Sequence, residues 1–204
     1  MMKHRFEQGS DPGAPTLLLL HGTGGNEDDL LPIGRMISPE SSLLSVRGNV
    51  LEAGMPRFFR RLAEGVFDEE DLIFRTAELH DFVGEQAEAY GFDRSRVVAV
   101  GYSNGANIAG SLMFHYADAL AGAVLLHPMV PRRGLELPDL TGSGVFIGAG
   151  RNDPLCPPQE SEELERLLTG AGAEVTLHWE NHGHQLSRTE VEAAAQWFGA
   201  RYRD

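Results

Sequence analysis

The stretch VVAVGYSNG, residues 97–105, decides the fold. Four apolar residues have the pattern of a buried strand, and they run directly into a serine that lies between two glycines. Glycine is costly in regular structure but favourable where the backbone bends sharply or approaches another segment closely. G-x-S-x-G between a strand and a helix is typical of a nucleophile elbow, which presents its serine, Ser103, at the edge of a parallel sheet. The alternative is a tight turn whose serine caps the following helix.

Apolar runs alternate with helical patterns along the chain, and this order predicts a parallel, doubly wound sheet with helices on both faces. Strands are predicted over 16–20, 42–46, 96–100, 121–126, 145–149 and 174–179, with a candidate edge strand over 4–6. Helices are predicted over 71–90, 104–116 and 159–169, and after a capping box at 187–190. Residues 47–71, rich in Gly, Arg and Phe, are predicted to form a long functional loop. We expect a single α/β domain over residues 1–204.

Composition limits the classes of partner. The chain has 204 residues, a formal charge of -13 at pH 7 and one cysteine, Cys156. The negative charge disfavours nucleic acid and anionic membrane surfaces as partners. A single cysteine excludes an intramolecular disulfide and a cysteine metal cluster, and we expect Cys156 to be a packing residue. The polar N-terminal stretch and the lack of a run of about 20 apolar residues favour a cytoplasmic protein. A homodimer is compatible with the sequence, although no pattern indicates one.

A serine hydroxyl is a weak nucleophile without a base, and in this kind of fold the base comes late, on a loop after a strand. The stretch ENHGHQ, residues 180–185, contains two histidines. We assign the base to His184, which follows a glycine and precedes the capped last helix, and His182 is the rival. Asp153, just beyond the strand over 145–149, is the predicted carboxylate that orients the base, which gives the chain order Ser, Asp, His. Its alternative role is to form a turn before a proline.

Acyl transfer also requires N–H donors directed at the developing oxyanion, and one such donor contributes about 100- to 1000-fold in rate. The residue after the nucleophile, Asn104, supplies one backbone N–H. The loop HGTGGN, residues 21–26, follows an early strand, and we assign the second N–H to Thr23. A phosphate-binding loop is the competing interpretation, but neither G-x-G-x-x-G nor the Gly-Lys-Ser/Thr of a P-loop occurs. The acidic residues 27–29 are unfavourable for phosphate and suit a helix N-terminus.

Together the motifs resemble the phospholipase/carboxylesterase family of α/β-hydrolases, and most closely its bacterial subgroup of hydroquinone- and catechol-associated carboxylesterases. In chain order they are LLLLHGTGGNEDDLLPIG, SVRGN, RFFRR, VAVGYSNGANIA, HPMVP, IGAGRNDPLCPPQES and WENHGHQL. The resemblance implies a compact α/β-hydrolase fold without a large cap, and the triad and oxyanion hole already assigned. It implies no metal and no organic cofactor. Members of the subgroup often carry a basic residue at the position of His182.

Substrate contacts are predicted around the loop over 47–71, which we expect to close one side of a shallow cleft. The predicted substrate-binding residues are His21, Gly22, Met55, Phe58, Phe59, His127 and Met129. The second alternative for Met55, Phe58 and Phe59 is that they anchor the loop on the core. We expect the arginines at 57, 60 and 61 to pair with the acidic residues at 64, 68, 69 and 70 rather than to bind a substrate carboxylate.

The sequence thus predicts a serine carboxylesterase that hydrolyses small esters, with short acyl or aryl groups, through an acyl-enzyme intermediate. A thioesterase or lysophospholipase that uses the same triad is the alternative. A non-catalytic α/β-hydrolase binding module is the third possibility, and it is disfavoured because binding does not require the strain of an elbow. The expected partner is a small-molecule ester.

Overall fold

The molecule is an alternation of strands and helices. The computed structural model describes residues 1–203. In chain order the elements are β1 (His4–Glu7), β2 (Thr16–Leu20), α1 (Leu31–Ile37), β3 (Leu43–Val46), β4 (Val50–Glu52), β5 (Met55–Arg57), β6 (Arg61–Ala63), β7 (Val66–Phe67), α2 (Glu69–Tyr90), β8 (Val97–Tyr102), α3 (Asn104–His115), β9 (Gly122–Leu126), β10 (Gly144–Gly150), α4 (Pro158–Gly170), β11 (Glu174–Glu180) and α5 (Arg188–Tyr202).

Seven strands form the central sheet in the order β1-β3-β2-β8-β9-β10-β11. Only β1 is antiparallel to its neighbour, and every other pair in this sheet is parallel. Alternate side chains of each strand enter opposite cores, as in β2, where Leu18 and Leu20 face one core and Leu17 and Leu19 face the other. The first core is covered by α2, α3 and α4, and the second by α1 and α5. The predicted doubly wound, mostly parallel sheet is confirmed.

All six predicted strands are present, with ends that shift by at most two residues, and the candidate edge strand is β1. Two regions differ from the prediction. Residues 47–71 contain two short antiparallel hairpins, β4–β5 and β6–β7. The acidic residues 27–29 do precede a helix, the short α1, for which the sequence predicts no range. Their side chains do not cap it, and Glu27 instead binds Arg47 while Asp28 binds Arg5. These contacts fix the loop before α1 by ion pairs.

The hairpin β4–β5 is fixed to the loop that follows β2. The backbone N–H of Gly24 donates to the carbonyl of Pro56 over 2.9 Å. Phe58 and Phe59, which follow this hairpin, are fully buried in the core. Of the two roles predicted for these phenylalanines, substrate contact and loop anchor, the structure shows the loop anchor.

Within residues 1–203, the insertion between β3 and α2 consists of these hairpins, and no large cap covers the sheet edge. No helix in the described part of the chain combines the length and apolarity that crossing a bilayer requires.

Candidate active site

Ser103 stands between β8 and α3 in a strained backbone conformation. Its φ is 54° and its ψ is -113°, in a region that non-glycine residues rarely adopt. Its N–H donates to the carbonyl of Leu126, at the end of the neighbouring strand β9, over 2.9 Å. The sharp turn therefore places the serine at the carboxyl edge of the parallel sheet, where sites in such sheets form.

The structure brings the three residues predicted as a triad into one hydrogen-bonded line. The Oγ of Ser103 lies 2.8 Å from Nε2 of His184, and Nδ1 of His184 lies 2.7 Å from Oδ2 of Asp153. Because Nδ1 faces a carboxylate, it carries the proton, which leaves Nε2 as the acceptor toward the serine. Oδ2 is also the acceptor for a second histidine, His127, at 3.0 Å.

Asp153 is held as an anion by the loop that follows β10. Its side chain is fully buried, and its Oδ1 accepts the backbone N–H groups of Leu155 and Cys156, each over 2.9 Å. Burial alone would raise the pKa of Asp153, but these hydrogen bonds and those of the two histidines outweigh burial and lower it. The carboxylate therefore stays ionised where it faces His184.

The loop between β11 and α5 carries both candidate histidines, and only one of them reaches the serine. The backbone carbonyl of His184 accepts the hydroxyl proton of Tyr102 over 2.8 Å, which ties this loop to the end of β8. His182 instead directs Nδ1 toward the carbonyl of Gly183 at 3.2 Å, and its buried Nε2 has no partner among residues 1–203. The geometry thus favours His184 over His182 as the base.

The two predicted oxyanion donors line the same cavity as the serine. Neither the backbone N–H of Thr23 nor that of Asn104 donates to an acceptor within residues 1–203. Both residues are fixed through their side chains. Oγ1 of Thr23 accepts from Arg57 over 2.5 Å, and Oδ1 of Asn104 accepts the N–H of Phe58 over 2.7 Å. The loop over 47–71 therefore shapes the site by holding both donors in place.

A cavity of about 280 Å³ opens beside Ser103. Of the residues predicted to contact substrate, Gly22 and Met129 line it. Sequence reasoning missed Tyr102 and Asn107, which also line it. Both follow directly from the elbow, as its second residue and the first turn of its helix, so the elbow itself was the available signal.

Four predicted substrate contacts lie outside the cavity lining, and we correct them. His21 is 1% exposed, and its ring bridges the carbonyl of Gly22 and the N–H of Gly48. Burial lowers the pKa of His21, in agreement with a neutral ring. The remaining three are Phe58 and Phe59, which are core anchors, and Met55, which is 42% exposed and has its side chain beside Gly24.

His127 is the fifth predicted substrate contact that lies outside the cavity lining. Its side chain has no exposed surface, because it lies beneath the site between Asp153 and Glu190. Its Nδ1 and Nε2 lie 3.0 Å from a carboxylate oxygen of each. His127, Asp153 and His184 also form the one group of three metal-type side chains in the described part of the chain. Hydrogen bonds to Asp153 occupy Nδ1 of both histidines, so these nitrogens are protonated and do not offer lone pairs to a metal.

Arg57 has different partners from Arg60 and Arg61. Arg60 and Arg61 pair with Asp68 and Glu52, at 3.1 and 2.8 Å. Arg57 is 3% exposed, lines the cavity and forms no ion pair with residues 1–203. The expected pairing is confirmed for Arg60, whereas Arg61 has an acidic partner that was not expected, and the expectation is wrong for Arg57. Burial lowers the pKa of Arg57 to about 10, so it stays a cation at neutral pH.

Comparison with known proteins identifies the family of this chain. The family model for phospholipase/carboxylesterase matches residues 2–200. The chain is 61% identical over 197 residues to a putative hydrolase, MhqD, of Bacillus subtilis (strain 168), and the match covers 97% of this chain and 98% of that protein. The similarity to MhqD supports the predicted subgroup.

Two solved structures extend the comparison. A carboxylesterase from Bacillus cereus has a TM-score of 0.98 and 65% identity, covering 99% of this chain and 95% of that chain. A structure of YahD with malic acid has a TM-score of 0.94 and 32% identity, covering 98% of this chain and 100% of that chain. From these matches, the chain belongs to the phospholipase/carboxylesterase family and is a carboxylic ester hydrolase of the α/β-hydrolase fold.

Proposed function

We propose that the protein is a serine carboxylesterase that cleaves small esters by a double displacement at Ser103. The observation that carries the proposal is the line of atoms from Oγ of Ser103 through the ring of His184 to Oδ2 of Asp153, with separations of 2.8 and 2.7 Å. This is the arrangement in which an imidazole removes the serine proton while a buried carboxylate stabilises the imidazolium that results.

In the first step, Oγ of Ser103 bonds to the ester carbonyl carbon while Nε2 of His184 takes its proton. The oxyanion of the tetrahedral intermediate accepts the backbone N–H groups of Thr23 and Asn104. His184 then gives the proton to the departing alkoxide, the C–O bond of the ester breaks, and an acyl-serine and an alcohol result. In the second step His184 takes a proton from water, the hydroxide attacks the acyl-serine, and the serine leaves with that proton.

The cavity supports small substrates. Its volume of about 280 Å³ lies at the lower end of the sizes typical of small-molecule sites, roughly 300–1,000 Å³. We therefore propose short acyl or aryl groups. The large apolar side chains of its lining are three, Phe67, Met129 and Leu155, which is a small apolar surface for a long acyl chain and disfavours the lysophospholipase alternative.

We further propose that the substrate carries a carboxylate. Arg57 is a buried cation without an acidic partner, and Nη2 makes no hydrogen bond with residues 1–203, whereas Nε and Nη1 donate to Phe59 and Thr23. A guanidinium in a sheltered cavity is well suited to bind a carboxylate. The malic acid in the YahD structure is a small dicarboxylic acid, in agreement with this preference.

The main test is Ser103→Ala, assayed with 4-nitrophenyl butyrate. We expect a loss of roughly four orders of magnitude or more in kcat, because the nucleophile is removed. Wild type should form a covalent adduct with a fluorophosphonate probe, whereas Ser103→Ala should not. Ser95→Ala, at an exposed serine outside the cavity, is the control and should behave as wild type. Retained turnover by folded Ser103→Ala would overturn the proposal, and no labelling of wild type would favour a binding module.

The carboxylate preference is tested with two esters of equal acyl length, 4-nitrophenyl butyrate and the 4-nitrophenyl monoester of succinate. Arg57→Gln should lower kcat/KM for the succinate ester about tenfold more than for the butyrate ester, the size expected for a hydrogen bond to a charged group. The ratio of the two kcat/KM values cancels any effect that the loss of the Arg57 contact has on Thr23, since both esters need the same oxyanion donors. Arg60→Gln is the control, because Arg60 lies outside the cavity lining. An unchanged ratio in Arg57→Gln contradicts the preference.

Turnover of acyl-CoA distinguishes a thioesterase with the same triad from a carboxylesterase. Turnover of lysophosphatidylcholine does the same for a lysophospholipase. We expect both to be slower than ester cleavage. A cytoplasmic location, a small-molecule partner and independence from nucleic acid stay part of the proposal.

A further inference from the structure

His127 is a fully enclosed titratable group beneath the site. It follows β9 with a φ of 54°, in the left-handed region, and its side chain is fully buried. One ring nitrogen, Nδ1, lies 3.0 Å from Oδ2 of Asp153. The other, Nε2, lies 3.0 and 3.2 Å from the two carboxylate oxygens of Glu190. The ring thus bridges the acid of the triad and the first turn of α5.

The hydrogen bonds around this ring determine where its protons are. Asp153 accepts three further hydrogen bonds, from Leu155, Cys156 and His184, so it is an anion. Glu190 is also buried, and its Oε1 accepts the backbone N–H of the capping-box serine over 2.9 Å. A neutral imidazole carries one N–H and could donate to only one carboxylate. With Glu190 ionised, contact with both carboxylates requires an imidazolium, which donates to each.

The charge balance leads to the same result. Two buried carboxylates this close together are unstable unless a cation lies between them. Burial on its own would lower the pKa of His127, but the hydrogen bonds and charges of Glu190 and Asp153 together outweigh it and raise that pKa. An imidazolium at this position reduces the net charge of the buried trio from two negative charges to one.

Three other titratable rings lie near His127, and none of them is hydrogen-bonded to its ring. His184 and His182 have ring centres 5.4 and 6.1 Å away, and the ring of Tyr102 is also 6.1 Å away. Burial raises the pKa of Tyr102 to about 12 and also raises the pKa of Cys156, so both are neutral. The thiol of Cys156 donates to the backbone carbonyl of His127 over 3.2 Å, not to its ring.

We propose that His127 is a positioning residue, an imidazolium fixed by Glu190, which holds the Asp153 carboxylate in the orientation that His184 requires. This inference rests on the proposed function, because it assumes that His184 is the base. The proton moves only between Ser103, His184, substrate and water, and His127 keeps both of its ring protons throughout. His127 is thus not a substrate contact but the support beneath the triad.

The proposal has a consequence for basicity. His127 and His184 share Oδ2 of Asp153, so a positive charge on His127 opposes the protonation of His184. Removing that charge leaves Asp153 free to stabilise protonated His184. The pH at which kcat/KM falls on the acid side should therefore rise when His127 is replaced by a neutral residue.

The first experiment does not use activity. Histidine labelled with ¹⁵N in the ring is observed in the wild-type protein at about pH 8, well above the ordinary histidine pKa of about 6.5. The signals of His127 are assigned by their loss in His127→Gln, and protonation of both ring nitrogens is expected. A neutral ring at this pH overturns the proposal. The variant serves only to assign the signals, and the protonation state is read in the wild type, so the result is independent of whether Ser103 is the nucleophile.

The second experiment is the pH profile of kcat/KM for His127→Gln, with 4-nitrophenyl butyrate. We expect the acid side of the profile to move up by about one pH unit. We expect kcat to fall roughly 10- to 100-fold, as a displaced catalytic group would cause, with KM little changed. The control is His178→Gln, since His178 also binds a glutamate, Glu180, but outside the site. A folded His127→Gln protein with an unmoved acid side overturns the positioning role, whereas activity that survives Ser103→Ala would instead overturn the proposed function.

Discussion

At the scale of single residues, the glycines that flank Ser103 let strand and helix pass each other. A Cβ added to Gly105 would overlap the backbone carbonyls of Leu20 and His21, and one added to Gly101 would lie 2.5–2.7 Å from backbone atoms of Gly105 and Ala106. Backbone atoms cannot move aside as the end of a flexible side chain can. The sequence pattern G-x-S-x-G therefore records a packing requirement, in addition to the catalytic role that we propose for Ser103.

We expect Gly105→Ala to destabilise the protein by about 1–3 kcal/mol or more, because β2 must move away from α3. Gly84 is the matched control, since it also lies within a helix but has open space where a Cβ would stand. Gly84→Ala should be neutral or stabilising by up to about 1 kcal/mol, the difference in helix propensity. Urea unfolding followed by circular dichroism measures both changes. Equal stabilities for the two variants would contradict the packing argument.

The two histidines of the last loop give a second test at this scale. His184→Ala should lower kcat by roughly three orders of magnitude or more, since Nε2 is the atom that faces Ser103. His182→Ala removes a neighbouring ring that does not contact the serine, so we expect at most a few-fold change. Steady-state kinetics on 4-nitrophenyl butyrate decide between them. The reverse order of effects would show that the base is His182.

At the scale of secondary-structure elements, the cap of α5 fixes the loop that carries His184. The Oγ of Ser187 accepts the N–H of Glu190, and the Glu190 side chain accepts the N–H of Ser187. The first helical turn therefore orders a loop residue only three positions before the cap. Helix capping and the position of the base depend on the same two residues.

Ser187→Ala should lower the free energy of unfolding by about 1 kcal/mol, the usual cost of losing such a cap. It should also lower kcat several-fold, because the loop with His184 loses one of its fixed ends. The comparison is Asp68→Ala, which removes the N-cap of α2, where the Asp68 side chain accepts the N–H of Asp71. Both variants should lose stability, whereas only Ser187→Ala should lose activity. An equal loss of activity in both would mean that the effect is general destabilisation.

Elements with long, regular patterns could be predicted from the sequence, and short or polar ones could not. The strand β2 is five consecutive buried residues, four of them leucine, a pattern with few alternatives. The hairpin strands β4 to β7 have two or three residues each, too few for alternation to stand out. The helix α1 has seven residues and no side-chain cap, so it is too short for a periodic pattern to stand out, and Pro32 in its first turn is the one start signal that it carries.

The same limit applies to the site. Ser103, Asp153 and His184 follow strand ends or a glycine elbow, and such positions can be read from a sequence. His127 also follows a strand end, yet its role depends on Glu190, which is 63 residues away and was recognised only as part of a cap. A buried ion pair between distant residues leaves no periodic pattern in a sequence, so only the structure could place this histidine beneath the triad.

At the scale of the whole molecule, the parallel sheet brings distant loops to one edge. The loop after β2 supplies Thr23, the turn after β8 supplies Ser103, and the loops after β10 and β11 supply Asp153 and His184. These four strands are parallel, so all four loops leave the sheet at its carboxyl edge. The fold therefore holds the site from several sides, and the two hairpins add a further wall without a separate cap.

Stability should fall as the pH is lowered, because several carboxylates, Glu27 among them, have folded pKa values below their usual range. Burial alone would raise the pKa of Glu27, but hydrogen bonds from its backbone and Arg47, with further attraction from Arg47 and Lys3, lower it. As the pH falls, Glu27 is therefore protonated in the unfolded chain at a higher pH than in the folded protein. The stability that Glu27 contributes is fully present above its unfolded pKa of about 4.3, and it is lost as the pH falls through the lower folded pKa.

Glu27→Gln should accordingly reduce the free energy of unfolding at neutral pH and flatten its decline between about pH 5 and pH 3. Glu88→Gln is the control, because Glu88 is exposed, forms no ion pair with residues 1–203, and its replacement changes the net charge equally. Urea titrations across this pH range compare the slopes. Both substitutions remove one negative charge, so the general charge repulsion of a chain with formal charge -13 changes alike in the two variants. The Glu88→Gln curve should run parallel to wild type, because this variant loses no ion pair. A Glu27→Gln curve parallel to wild type would mean that the ion pair with Arg47 contributes no pH-dependent stability.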